Sequence, residues 1–226
     1  MRRFFALLLA VSVLTVPVFG TQTPKYIALT FDDGPSGRYT TRLLEGLNAR
    51  NVDATFFLCG YRLETYPELA QTIRAGGHEI GLHGYSHDSM SEMSTATVAT
   101  ELEKTRALLP EGCLVNLMRP PGGSLSDSVR TAAQDAGVAI IHWSMDPKDW
   151  ATKNSALIQQ RVLDQVEDGD IILMHDMTDS SVDAALALVD QLQARGYHFL
   201  TVSQLSMLRL NFLESGSRYS SFAPHL

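Results

Sequence analysis

What most constrains this chain is an alternation that begins near Lys25. Short β-rich runs at residues 26–31, 54–58, 79–82, 117–119, 138–144, 170–174 and 197–201 are separated by stretches of helical pattern. The runs are apolar without strict alternation, as strands covered on both faces are. Between them apolar residues recur at spacings near three and four, as in Leu43, Leu44 and Leu47, in Leu102, Leu108 and Leu109, and in Ala184, Leu186, Leu188, Val189 and Leu192. That period buries one face of a helix. Glycines close three of these patterns, in Ala75-Gly76-Gly77, Asp135-Ala136-Gly137 and Arg195-Gly196. Strand, helix, strand repeated in this way predicts an α/β fold with about seven parallel strands, closed or nearly closed into a barrel. A flat doubly wound sheet is the alternative.

Composition narrows the class further. The chain has 226 residues, 45% apolar and 19% charged, an ordinary globular balance that excludes a disordered or fibrous protein. A formal charge of −7 with no Lys/Arg cluster excludes a nucleic-acid partner, and nothing implies a protein partner. Two cysteines, Cys59 and Cys113, allow at most one bridge and leave open whether it forms. Met1-Arg2-Arg3, an apolar run and then Pro17-Val18-Phe19-Gly20 have the layout of a signal peptide over residues 1–20, with an uncleaved anchor as the alternative. A secreted or cell-surface protein is expected, with one domain over residues 25–210. The Ser-containing tail, residues 211–226, is expected to lie loosely on the surface.

The reactive side chains keep phase with the alternation. Asp32 and Asp33 follow the first predicted strand, His83 and His87 the third, Arg119 ends the fourth, Asp146, Asp149 and Trp150 follow the fifth, and His175 the sixth. Carboxyl ends of strands gather at one face of a β/α barrel, and active sites are built there. His83 and His87, four apart, would face one way on a helical turn and could grip one metal, with Asp33 as third ligand. Taken alone, such a pair is as readily a solvated loop feature, Asp32-Asp33-Gly34-Pro35 a turn, and Arg119 a surface charge. An Arg fork beside a catalytic Asp would instead hold that carboxylate in place. His175, ending an apolar strand, titrates in the range of a general acid. His78, His142, His198 and His225 read as structural or solvated.

Five segments then spell a family: Thr30-Phe31-Asp32-Asp33-Gly34-Pro35, His83-Gly84-Tyr85-Ser86-His87, Arg119-Pro120-Pro121-Gly122, Asp146-Pro147-Lys148-Asp149-Trp150 and Leu173-Met174-His175. In these motifs and their order, with Asp53-Ala54-Thr55-Phe56-Phe57 and Gly77-His78-Glu79-Ile80-Gly81 in support, the chain resembles the NodB-homology polysaccharide deacetylases (carbohydrate esterase family 4). The resemblance spans residues 25–208. It implies a distorted (β/α) barrel and a divalent metal, usually zinc, with cobalt or another divalent ion possible. The implied reaction removes N-acetyl groups from a polysaccharide, peptidoglycan or a chitin-like polymer of N-acetylglucosamine. By motif position Asp33, His83 and His87 would be ligands, Asp32 the base and His175 the acid. Arg119 would orient Asp32, and Asp149 would tune His175. Leu173 and Trp150 would line the acetyl pocket, and Pro121 and Gly122 would border the substrate, with a backbone N–H near Gly122 for the oxyanion. The chain departs from the family at Gly84, usually Ser or Thr, and at Gly122, commonly aromatic. An acetylxylan esterase and an inactive glycan-binding module are the competing readings.

Overall fold

The computed structural model describes residues 23–223; the expected signal peptide, His225 and the last residues of the tail lie outside them. Among the described residues there are eight strands, β1 Lys25–Asp32, β2 Thr55–Leu58, β3 Glu79–Leu82, β4 Leu117–Met118, β5 Ala139–Ile141, β6 Ile171–His175, β7 Tyr197–Phe199 and β8 Arg218–Tyr219. Helices α1 Gly37–Asn48, α2 Gly60–Thr65, α3 Pro67–Ala75, α4 Thr95–Arg106, α5 Asp127–Asp135, α6 Ser155–Leu163, α7 Asp179–Ala194 and α8 Val202–Leu210 lie between them. Among the described residues no helix is long and apolar enough to cross a membrane.

The sheet runs β6-β1-β2-β3-β4-β5-β8, with β7 beside the first half of β1, and every strand pair is parallel. Five consecutive strands in spatial order, with β6 returning to the open side of β1, wind in one direction only. A doubly wound sheet reverses direction at a switch point, so the barrel reading holds and the flat alternative falls. Past the end of β5, a bridge from Met145 to Ile172 carries the sheet toward closure on β6.

From Ile27 onward β1 is buried on both faces, which is why its sequence shows no polar alternation. Phe31 stacks on Phe56 with ring centroids 5.2 Å apart, inside a core that α1 and α7 cover with Leu43, Leu44, Leu47, Leu188 and Leu192. Burying each such side chain contributes roughly 1.5–3 kcal/mol. Five helix starts are capped by side chains: Ser94, Ser126, Asn154, Thr178 and Thr201 each accept a backbone N–H of the first turn.

Two expectations fail here. Helix α4 ends at Arg106, so Leu108 and Leu109 pack against the core from the turn beyond it. The tail is not loose: β8 pairs with β5, and Phe222 is buried against Ile141, Ile171 and Val202. Its Phe222 N–H donates to Gly169 O at 2.7 Å, while Gly169 N–H donates to Tyr26 O at 2.7 Å, so the tail seals the amino end of the barrel beside β1 and β6.

Candidate active site

Strand register sets the floor of the site. Asp32, the last residue of β1, pairs with His175, the last residue of β6. His83 and Arg119 each stand one residue past their strands, and the N–H of each donates to the end of the preceding strand, Leu58 O and Leu82 O, at 2.9 Å. Four strand ends thus deliver Asp32, His83, Arg119 and His175 to one level. Asp33 turns away from Asp32 because its backbone is left-handed, φ 71°, and His87 is left-handed too, φ 67°. Such conformations cost of order 1–3 kcal/mol at non-glycine residues and persist where the surroundings impose them.

Among the described residues, Asp33, His83 and His87 form a group whose ligand atoms all lie within 4.8 Å of one another. His83 Nε2 is 3.3 Å and His87 Nε2 2.9 Å from Asp33 Oδ1. The pair does not use a helical turn, as the spacing had implied: residues 83–87 form a bent loop whose two left-handed residues, Gly84 and His87, fold the rings together. His83 Nδ1 lies 2.7 Å from the Arg119 carbonyl oxygen. A carbonyl cannot donate, so the proton is on Nδ1 and Nε2 turns its lone pair toward Asp33 when the ring is neutral. Asp33 Oδ1 is buried and makes no hydrogen bond. One carboxylate oxygen and two ring nitrogens converging in this way suit a divalent cation of the zinc or cobalt kind, and the carbonyl behind His83 is the usual outer support of such a ligand. Burial opposes the Asp33 charge, yet the nearness of His83 and His87 holds its pKa far below the usual carboxylate range.

A carboxylate–cation pair flanks this cluster on either side. Arg119 is fully buried, which overturns the surface-charge alternative. Its Nη1 donates to Asp32 Oδ1 at 2.6 Å and to Thr30 Oγ1 at 2.8 Å, its Nε to Ile141 O at 3.0 Å and its Nη2 to His142 O at 2.9 Å. The guanidinium carbon also stands 4.2 Å from the centroid of Phe57. Opposite, His175 Nδ1 is 2.8 Å from Asp149 Oδ1, and His175 N–H donates to Asp149 Oδ2 at 2.8 Å. Burial disfavours the imidazolium, but the bond and charge of Asp149, with Asp32 and Asp33 behind, lift His175 to about 9.

Asp32, Asp33, His83, His87 and His175 line a cleft of about 340 Å³ together with Gly122, Trp143, Asp146, Trp150 and Leu173, while Arg119 and Asp149 stand behind its wall. Trp150 is 65% exposed on its rim. Pro121 is not part of the lining: it is buried, and its ring faces the Gly84 turn. Gly122 is left-handed, φ 62°, which favours glycine where the family commonly has an aromatic residue. A wider depression of about 1030 Å³ lies between the starts of α6 and α7, and its lining holds none of the expected site residues.

Sequence reasoning missed three contributors. Thr30 sits two residues before Asp32 on the same face of β1, a period-2 signal that could have found it. Trp143 precedes the Asp146 motif. Glu101, on α4, binds the His83–His87 loop, and no local pattern marks it. His78 accepts the Ala54 N–H in the core, a structural role as expected. Cys59 and Cys113 are free thiols.

Residues 19–141 match the family model described as polysaccharide deacetylase. The chain is 35% identical over 201 residues to the peptidoglycan-N-acetylmuramic acid deacetylase PdaC of Bacillus subtilis, covering 87% of this chain and 42% of that protein. It thus spans less than half the length of the first curated relatives it matches. It is 37% identical over 187 residues to a peptidoglycan-N-acetylglucosamine deacetylase of Bacillus cereus, covering 80% of this chain and 88% of the relative. The solved structure of Bacillus subtilis PdaC aligns with a TM-score of 0.79 at 35% identity, over 83% of this chain and 93% of that one.

Proposed function

The chain belongs to the polysaccharide deacetylase family, and on that premise we propose that it removes N-acetyl groups from a polysaccharide of acetylated amino sugars. Peptidoglycan is the first candidate and a chitin-like polymer the second. The observation that carries this reading is the arrangement itself, a three-ligand cluster flanked by a buried carboxylate–arginine pair and a titratable carboxylate–histidine pair. The same reading puts the enzyme outside the cell or at its surface, where such polymers lie.

Asp33, His83 and His87 would hold the divalent cation, zinc in our reading. Such an ion polarises an acyl oxygen and makes an attacking water more acidic. Asp32, its carboxylate aimed by Arg119, accepts the proton that the water loses as its oxygen bonds to the acyl carbon. The Gly122 amide is the backbone donor we assign to the oxygen that gains charge. Asp149 occupies His175 Nδ1 and so leaves Nε2 as the atom that gives its proton to the sugar nitrogen. The C–N bond then breaks, and acetate and a free amine leave. Trp150 and Leu173 wall the space for the acetyl methyl group.

The test is mass-spectrometric measurement of acetate loss from N-acetylglucosamine oligomers, peptidoglycan and acetylxylan, with and without a chelator. Loss from an amino-sugar substrate that stops with chelator is expected. Release from acetylxylan alone would make the enzyme an ester hydrolase, and glycan binding without release from any substrate would make it a binding module.

A further inference from the structure

The loop from His83 to His87 carries two of the three proposed ligands but has no regular structure of its own. Its carbonyls are taken by the start of α2: Gly60 N–H donates to Gly84 O and Tyr61 N–H to Tyr85 O, both at 3.0 Å. Its amides converge on one atom of α4. Glu101 Oε2 accepts from Tyr85 N at 2.9 Å, from Ser86 N at 2.8 Å and from Ser86 Oγ at 3.0 Å. Ser86 Oγ in turn accepts the Asp88 N–H at 3.2 Å. The residues on both sides of His87 are therefore tied, directly or through one hydroxyl, to a single carboxylate oxygen. His87 itself is left-handed, a backbone state that relaxes unless its neighbours are held.

Position 84 cannot do this job here. Its φ of 77° strains any side chain, and an added Cβ would stand 2.5 Å from the methyl carbon of the fully buried Met90. The hydroxyl that the family commonly places after the first ligand histidine thus has no room in this loop, and Glu101 reaches the loop from outside it.

We propose that Glu101 is a positioning residue for the divalent cation, holding the His83–His87 loop in the form that binds it. This rests on the reading of Asp33, His83 and His87 as ligands. A charged acceptor that takes three donors is strong for its size, and outer supports of metal ligands typically govern affinity by 10–100-fold.

The experiment is competition between the full chain and a chelating dye for Zn²⁺ alone and for Co²⁺ alone, the latter also followed by its visible absorption. Metal-free melting temperatures are measured alongside. Glu101→Ala should weaken both metals by about 10–100-fold while the metal-free protein keeps its melting transition. Glu101→Gln, which keeps one carbonyl oxygen for the same donors, should recover part of that loss. Ser86→Ala should weaken binding in the native background and add little to Glu101→Ala, because the two act as one unit. Affinities of Glu101→Ala within about twofold of the native chain, or equal Ser86→Ala effects in both backgrounds, would overturn the proposal. If Glu101→Ala does not fold, Glu101→Gln and Ser86→Ala decide, and native affinity in both overturns it. His87→Ala separates the two readings. Native affinity in that variant sinks the ligand assignment, whereas its loss beside an unaffected Glu101→Ala sinks only the role of Glu101.

Discussion

The two flanks of the cleft are each a carboxylate paired with a basic side chain, but opposite partners are held fixed. On one side Asp32 meets Arg119; on the other Asp149 meets His175. Arg119 is fully buried and bonded to two side chains and two carbonyls, so it can neither move nor lose its proton. The outward group of that pair is the carboxylate. In the second pair the carboxylate is the buried, immobile member, bonded also to the His175 amide and the Trp150 amide, and the outward group is a ring that titrates. In the reaction proposed above, inverting which partner is fixed is what would make one pair a proton acceptor held in place and the other a proton donor held in place.

Removing Arg119 should have the largest effect, because it leaves Asp32 buried and unpaired beside three other acceptors that lose their donor. Arg119→Ala is expected to lower unfolding free energy by about 3–5 kcal/mol, read by urea denaturation, and Arg119→Lys should not restore it, since one ammonium cannot reproduce the fork. A loss below about 1 kcal/mol would make this flank an ordinary surface pair and erase the contrast.

Next come the two outward groups. Asp32→Asn and His175→Ala should each reduce kcat by roughly 10²–10⁴-fold while metal content, measured by atomic absorption, stays native. Metal loss from Asp32→Asn would move that residue from the base into the ligand set.

The pH dependence of stability distinguishes the flanks without substrate. His175 is raised from an ordinary value near 6.5 to about 9 in the folded protein. A raised pKa stabilises fully below the unfolded value, and the gain is lost as pH rises through the folded one. Metal-free native protein should therefore lose on the order of 2–3 kcal/mol more than His175→Gln between about pH 6.5 and 9, and Asp149→Asn should shrink that difference. Parallel melting curves for native protein and His175→Gln would remove the proton-donor half of the comparison.

The smallest effect belongs to Trp150. Its indole is largely exposed, so Trp150→Ala should leave the melting temperature unchanged, raise KM several-fold and leave kcat less affected. A fall in stability above about 1 kcal/mol would make it a core residue instead.

Much of this site is legible in the sequence. Asp32, Asp33, His83, Arg119, Asp149 and His175 keep step with the ends of apolar runs, and the barrel places strand ends together. The means of convergence were not legible. The spacing of His83 and His87 pointed to a helical turn, but left-handed Gly84 and His87 do the folding. Pro121, expected against substrate, is absent from the cleft lining and has its ring beside Gly84. The tail, read as loose, contains β8, and its partners, β5 and Gly169, are remote from it in sequence, so no local pattern announced the pairing.

The amino-acid order by itself determined which elements form and which reactive residues end them, because strand and helix periods are written in neighbours a few residues apart. Only the tertiary structure decided that Arg119 is sealed from water, that Glu101 grips a loop fifteen residues away, and that the tail adds a strand to β5. Those outcomes depend on register and on packing between distant segments, which no local period encodes.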